Sequence, residues 1–350
     1  MTELQECVQK LETGDEPDRI YAAEDIGFAN LAAGISPLLA RLPVEPSRAV
    51  KEAIFAALLQ IDDDAVIEGA LGLLDSEDSY LRNQAVELLR ALGSKTVPYL
   101  DRAFRAGPPD RRKFVIDVIA RLAEPASVGL YRRALEDPDL NVVITAVENI
   151  GNARHVQFRE QVERMVTAEA HPMLLGACIE ALAQIGDSTS LEAVGKSFGG
   201  VEGVPGYLRP SYLKLVGAKG SPAQLPEIAF FSAIRALDAA VLNALTSLRN
   251  RYPEMTIPPA LAGPLRHMAC RNPPQLAYQA VRLLGALISD SEVYDFLLSR
   301  LDDPDKVIRI GAIQAMREAG GEGAEAVLRR RLSSETDPEI LQAWGGKNPQ

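Results

Sequence analysis

Aromatic residues make up only 5% of this 350-residue chain, and there is a single tryptophan, Trp344. With 47% hydrophobic residues the chain can still bury a large core, which must be built from Leu, Ala, Val and Ile. Aromatic platforms for stacking single-stranded bases are therefore missing. Cationic charge is also short: 37 Lys+Arg against 48 Asp+Glu gives a net charge of -11. Such a balance excludes a surface that neutralises duplex phosphates, so no nucleic acid is expected as a partner. The three cysteines, Cys7, Cys178 and Cys270, lie far apart in the chain. They provide neither a disulfide framework nor a Cys-x-x-Cys metal site, and they fit a reducing compartment. No apolar run is long enough to cross a membrane, and the opening MTELQECVQK lacks a basic-then-apolar signal layout. The expected location is the cytoplasm, with no membrane insertion.

What the chain does have is punctuation. Turn centres fall at Pro17, Pro46, Glu77, Pro109, Pro138, Pro172, Pro205, Ala239, Pro273, Pro304 and Pro338, spaced 29 to 34 residues apart. A period of this length indicates a stacked array of small supersecondary units. Each unit reads as two helices. After Pro138, Val142, Ala146 and Ile150 recur four apart, and Val143 and Val147 widen the apolar stripe. Asp137 is placed to cap this helix, with Pro138 at its first position. A second helix is expected from about His155 to Met165, burying Val156, Val162 and Met165. Breaks at Gly27, Gly93, Gly186 and Gly217 suit the left-handed turn that ends many helices. Alanines at inner positions (Ala22, Ala57, Ala85, Ala146, Ala181, Ala280 and Ala312) permit close helix approach.

The Asp-Pro-Asp pattern at Asp137 to Ala146 and again at Asp303 to Ala312 resembles HEAT-like repeats, in particular the bacterial subtype of phycobilin lyases. The consensus arginine stands at Arg82 and Arg309, whereas Val143 replaces it after Pro138. The resemblance implies an all-α, right-handed α-solenoid (a superhelix) of about ten stacked two-helix repeats. Residues 1–345 are read as one solenoid with a possible joint near the glycine-rich stretch 198–206, followed by a tail at 346–350.

Catalytic chemistry is hard to find. His155, His171 and His267 sit in different repeats, and none is followed by Glu, so the paired His-Glu steps of the HEAT-like deoxyhypusine hydroxylases are missing. The HEAT-like alkyl-purine DNA glycosylases need a cationic, aromatic-lined groove that this composition does not supply. Gly195-Lys196-Ser197 imitates the end of a phosphate-binding loop, but Ser190 stands where its first glycine belongs. Cys178 lies in an apolar helix and reads as a small core residue. Asp62, Asp63 and Asp64 fall between two helices and read as capping residues. No catalytic residue, metal ligand or cofactor is expected.

One set of charges does follow the repeat. Arg41, Arg105, Arg133, Arg235 and Arg300 each precede a turn centre by four or five residues, and Arg164, Arg266 and Arg330 add cations nearby. If second helices line the concave face of the array, these eight arginines form a basic rail for an acidic peptide or protein surface. Cations in a last helical turn also offset the helix dipole, each by about 0.3–1 kcal/mol, without any ligand. The expected function is a non-enzymatic scaffold or adaptor that binds partner proteins along its concave face. The alternative implied by the resemblance is a bilin lyase or a lyase chaperone subunit, with arginines on the tetrapyrrole propionates. Self-association is left open.

Overall fold

The computed structural model describes residues 3–120, 122, 128–167, 170–333 and 335–345. They form twenty-two α-helices joined by short loops and 3-10 turns, with no strand among the described residues. The chain divides into two compact units, Met1–His155 and Val156–Gln350. In the first unit the helices are α1 (Glu3–Thr13), α2 (Glu16–Phe28), α3 (Ile35–Arg41), α4 (Arg48–Gln60), α5 (Asp64–Leu73), α6 (Ser79–Ala91), α7 (Val97–Ala106), α8 (Pro109–Ala120), α9 (Val128–Ala134) and α10 (Leu140–Asn152). The second unit begins with α11 (Arg159–Met165), α12 (Pro172–Ile185), α13 (Ser188–Ser197), α14 (Arg209–Lys219), α15 (Leu225–Ser232) and α16 (Asp238–Arg251). It continues with α17 (Ala262–Arg271), α18 (Pro274–Leu284), α19 (Ser291–Arg300), α20 (Lys306–Ala319), α21 (Glu322–Leu332) and α22 (Pro338–Trp344).

Every turn centre read from the sequence lies at, or within four residues of, the start of an even-numbered helix. Inside each unit the even helices pack in series, α2 to α10 and α12 to α22, as one layer; the odd helices form the other layer. All seven inner alanines are buried, as are Val142, Val143, Val147 and Ile150. Burying a side chain such as Leu58 or Val142 stabilises the stack by roughly 1.5–3 kcal/mol. The glycine-rich 198–206 stretch lies inside the second unit, where Gly199 and Gly200 have positive φ and lead into a 3-10 turn, Val201–Gly203. The tail at 346–350 lies outside the described residues.

Local details differ from the expectations in instructive ways. Gly93 does adopt the left-handed conformation, with φ 71°. Gly27 and Gly217 instead lie within α2 and α14, where what matters is the missing side chain. A Cβ on Gly27 would sit 2.6 Å from the Cα of Ala57, and one on Gly217 would sit 2.9 Å from the Cα of Ala244. The left-handed position that closes α2 belongs to Asn30, and the one that closes α10 to Arg154. Gly186 is extended. Phe158, in a 3-10 turn ahead of α11, is buried where Val156 was expected; Val156 is exposed and Met165 only half-buried.

Asp137 does not cap α10. The N-cap is Asp139, whose carboxylate accepts from the N–H groups of Asn141 and Val142. Asp137 lies two residues earlier and accepts the Asp139 N–H at 2.9 Å. The same acceptor-x-cap turn recurs at Glu45 and Ser47, Ser76 and Asp78, Asp303 and Asp305, and Glu335 and Asp337. It satisfies donors that a helix start leaves orphaned. An arginine near the start of the next helix then holds the turn from behind. Arg82 and Arg309 donate to carbonyls five and six residues upstream. Arg19, Arg112 and Arg209 reach carbonyls five upstream, so the consensus arginine serves in more units than its sequence pattern revealed.

Two of these arginines also tie repeats together. Arg112 grips the buried Asp137 with both ends of its fork at 2.7 Å. Arg19 holds the buried Glu45 in the same way at 2.9 Å, with Arg41 adding a third contact at 2.7 Å. Burial alone would raise the Glu45 pKa. Hydrogen bonds from Arg19, the Ser47 N–H and Arg41 outweigh it and hold the carboxyl below its ordinary value.

Candidate functional site: grooves on the even-helix layer

The arginines singled out from the sequence all lie outside the even helices. Arg41, Arg105, Arg133, Arg164, Arg300 and Arg330 occupy the last turns of α3, α7, α9, α11, α19 and α21. Arg235 is not in a last helical turn but opens the 3-10 turn after α15, and Arg266 lies midway along α17. Five of the eight have a carboxylate partner: Arg41 with Glu45, Arg105 and Arg133 with Asp101, Arg266 with Glu292, and Arg300 with Asp303. Arg164, Arg235 and Arg330 are exposed. Because Asp101 serves both Arg105 and Arg133, four carboxylates offset half of this charge locally.

The other candidate chemistries have structural roles. His171 caps α12 by accepting the Met173 N–H at 3.3 Å, and His155 packs against the Tyr131 ring with 5.1 Å between centroids. Burial pushes the Cys178 thiol up to about 12, so it stays protonated and unreactive at neutral pH. Asp63 caps α5, Asp62 pairs with Lys95, and Asp64 accepts from the Tyr99 hydroxyl. No cluster of three metal-ligating side chains exists among the described residues.

Among the described residues, cavities of about 470 Å³ and 530 Å³ open at the turns, one lined by Asp75, Arg82 and Pro108 and the other by Asp303, Arg309 and Arg331, and two more lie on the even helices, each touching three consecutive members of the layer. The groove of the first unit, about 440 Å³, is lined by Asn83 and Val86 of α6, Phe114 and Asp117 of α8, and Asn149 and Asn152 of α10. The Asn149 amide donates to Asp117 at 3.1 Å. The groove of the second unit, about 430 Å³, is lined by Thr246, Arg249 and Asn250 of α16, Gln279 and Arg282 of α18, and Glu318 of α20. Here Arg282 pairs with Glu318 at 2.6 Å, and the Tyr278 hydroxyl bonds Gln314 at 2.7 Å.

Both grooves are rich in carboxamides, which carry a donor and an acceptor on one short side chain. They suit a polar chain more than a hydrophobic cofactor. The sequence reading missed these residues, although a signal was there. Asn83, Asp117 and Asn149 follow one another at intervals of 34 and 32 residues. Glu180 and Lys214, paired across α12 and α14, are 34 apart; Arg282 and Glu318 are 36 apart. Polar residues recurring at the repeat period within apolar helices mark the face that neighbours share.

Stacked helix pairs, capped acidic turns and the consensus arginine define the HEAT-repeat α-solenoid. The family model described as HEAT repeats matches residues 264–344. No curated protein sequence matches the chain significantly. Among solved structures, Kap121p bound to Pho4p is similar with a TM-score of 0.62 and 11% identity, over 97% of this chain and 45% of that one. Kap95p in complex with RanGDP gives a TM-score of 0.57 at 12% identity, over 97% and 55% of the two chains. Importin beta gives 0.53 at 12% identity, over 97% and 64%. This chain thus spans 45% to 64% of the length of those karyopherins, and at such identities the likeness is one of fold.

Proposed function

We propose that the protein is a non-enzymatic interaction scaffold that takes its partner proteins on the even-helix face of its units. The observation that carries this reading is the pair of polar grooves, one in each unit, each spanning three successive even helices. Within each unit the even helices approach one another at backbone distance, as at Gly27 and Ala57 and at Gly217 and Ala244, and it is this layer that carries grooves shared by three helices. The binding face would then be the even layer, and the arginine rail of the odd helices would serve mainly to offset helix dipoles. The karyopherin named above binds Pho4p, so its fold is suited to holding a protein. Each groove contains one ring, Phe114 or Tyr278, which is little for sandwiching a tetrapyrrole.

The test is site-resolved crosslinking in the native cell. A photoreactive residue placed at Asn149 or Lys214, on even helices, is expected to trap partner proteins. The same residue at Arg105 or Arg330, on odd helices, is expected to trap far less. Crosslinks that come chiefly from the odd positions, and that vanish on charge reversal of Arg133, Arg235 and Arg300, would restore the rail and overturn this assignment.

A further inference from the structure

The arginine that follows each even-helix cap has an edge that one repeat leaves empty. Arg19 and Arg112 use Nη1 for the carbonyl five residues upstream, and Nε with Nη2 for a carboxylate of the next turn. That carboxylate, Glu45 or Asp137, stands two residues before the next even-helix cap, and Glu335 occupies the same place after Arg309. After Arg82 the place belongs to Ala106, because α8 starts at Pro109. Arg82 Nη1 still donates to the Ser76 carbonyl at 2.7 Å and the Glu77 carbonyl at 2.9 Å. Its Nε and Nη2 have no partner among the described residues and, unlike Arg133 Nε, neither is buried. The cavity of about 470 Å³ opens here, lined by Arg82, Pro108, Asp110 and Phe114 among others. The guanidinium lies over the Phe114 ring, 5.7 Å from its centroid, so ring and carbonyls orient the fork before anything binds.

A guanidinium edge held in this way matches one carboxylate through two parallel hydrogen bonds. The turn that follows already lines the cavity at Pro108, so the missing piece is a side chain and not a second turn. Asp75, also in the cavity, is paired with Arg111, whereas Asp110 is exposed and has no ion pair among the described residues. Arg82 thus attracts one carboxylate, and Asp110 disfavours a second beside it. Within the chain the corresponding atoms of Arg19 and Arg112 take protein side chains, Glu45 and Asp137. Phe114 also lines the groove of the first unit, so a protein lying in that groove passes the mouth of this cavity. We propose that the cavity takes a single glutamate side chain of a partner protein. Its carboxylate accepts from Arg82 Nε and Nη2, and its methylenes lie against Phe114 and Pro108. That the occupant belongs to a protein rests on the scaffold reading; the contact itself is at a turn, outside the even-helix grooves.

The probe is the α-amide of N-acetylglutamate, whose only carboxylate is the side chain, read by saturation-transfer NMR on the full-length protein. Transfer to its γ-methylene protons is expected, with a signal at least about fivefold stronger than that of the matching glutamine compound. Arg82→Gln removes the fork, and Arg82→Lys keeps the charge without it. Each should cut the glutamate signal by about fivefold or more. Thermal melts establish that the variants are folded, and the comparison of glutamate with glutamine on the wild-type protein needs no variant. The source of the carboxylate is read in the native cell, where a photoreactive residue at Asp110 should trap a protein, and Arg82→Lys should abolish the crosslink. Equal signals for glutamate and glutamine overturn the proposal, as does a glutamate signal that survives in folded Arg82 variants. Glutamate binding without an Arg82-dependent crosslink overturns it too, by assigning the cavity to a free carboxylate. In each of these outcomes, partner crosslinks from Asn149 and Lys214 would persist if the scaffold reading holds, so the two failures are distinguishable.

Discussion

Even- and odd-numbered helices differ most clearly at their glycines. On the even side Gly27 meets Ala57, Gly217 meets Ala244 and Gly285 meets Ala315, each so closely that an added Cβ would fall within 3.0 Å of the neighbour. On the odd side Gly72 of α5 and Gly263 of α17 have nothing within 4 Å of the same position, and Gly69 of α5 meets the flexible Leu39 side chain of α3 rather than backbone. One layer is held together by backbone approach and the other by longer side chains. In a two-layer stack such a difference decides which side is compressed, and so which side can form grooves shared by several helices. Charge, by contrast, links neighbours in both layers, since Arg102 of α7 pairs with Glu68 of α5 and Arg133 of α9 with Asp101 of α7. Even helices join their neighbours through Glu180 with Lys214 and Arg282 with Glu318, while four of the odd-side arginines (Arg41, Arg105, Arg266 and Arg300) find partners within a few residues or on the next odd element.

The comparison is open to test, and the largest effect is expected at the start of an even helix. Arg112→Met leaves the buried Asp137 carboxylate without its fork. Chemical denaturation should then show a loss of about 3–5 kcal/mol, the usual cost of breaking a buried pair. Arg105→Met, at an exposed pair on an odd helix, should change stability by less than about 1 kcal/mol. Comparable losses at the two sites would mean that the turn clamp contributes no more than a surface pair.

A smaller difference separates the glycines. Gly217→Ala, which forces a methyl against Ala244, should cost about 1–3 kcal/mol through overpacking. Gly263→Ala, in open space, should be neutral or stabilise by up to about 1 kcal/mol, because the unfolded chain loses conformational freedom. Thermal melts of the two variants measure the sign directly, and a stabilised Gly217→Ala would contradict the close packing of the even layer.

The smallest effect expected is in pH dependence. Glu45 titrates below its ordinary value in the folded protein, so its ionised form favours folding. That contribution is complete above the unfolded-state pKa of roughly 4.3 and is lost as pH falls through the lower folded-state value. Glu45→Gln should therefore flatten the acid limb of the stability-pH curve and leave its shape above neutrality unchanged. An unchanged acid limb would show that Arg19 and Arg41 do not favour the carboxylate.

Much of the architecture was legible because it is local. Asp-Pro-Asp turns and the 29 to 34 residue period depend on interactions within one repeat, and each of the eleven turn centres falls within four residues of an even-helix start. The candidate site was less legible. Arginines at the ends of odd helices stand out by eye, yet Asn149, Gln279 and Arg282 look like ordinary polar positions in amphipathic helices. Val156 and Phe158 show the same limit at smaller scale, since a 3-10 turn before α11 changed which of them faces inward.

Helix identity, repeat period and charge balance were written in the order of residues, because hydrogen bonds and caps act over a few positions. Which layer crowds, which arginines are already paired and where polar atoms are left unsatisfied were decided only when residues some 30 positions apart came into contact. Those outcomes depend on distances between whole helices, to which the linear pattern within any one of them is blind.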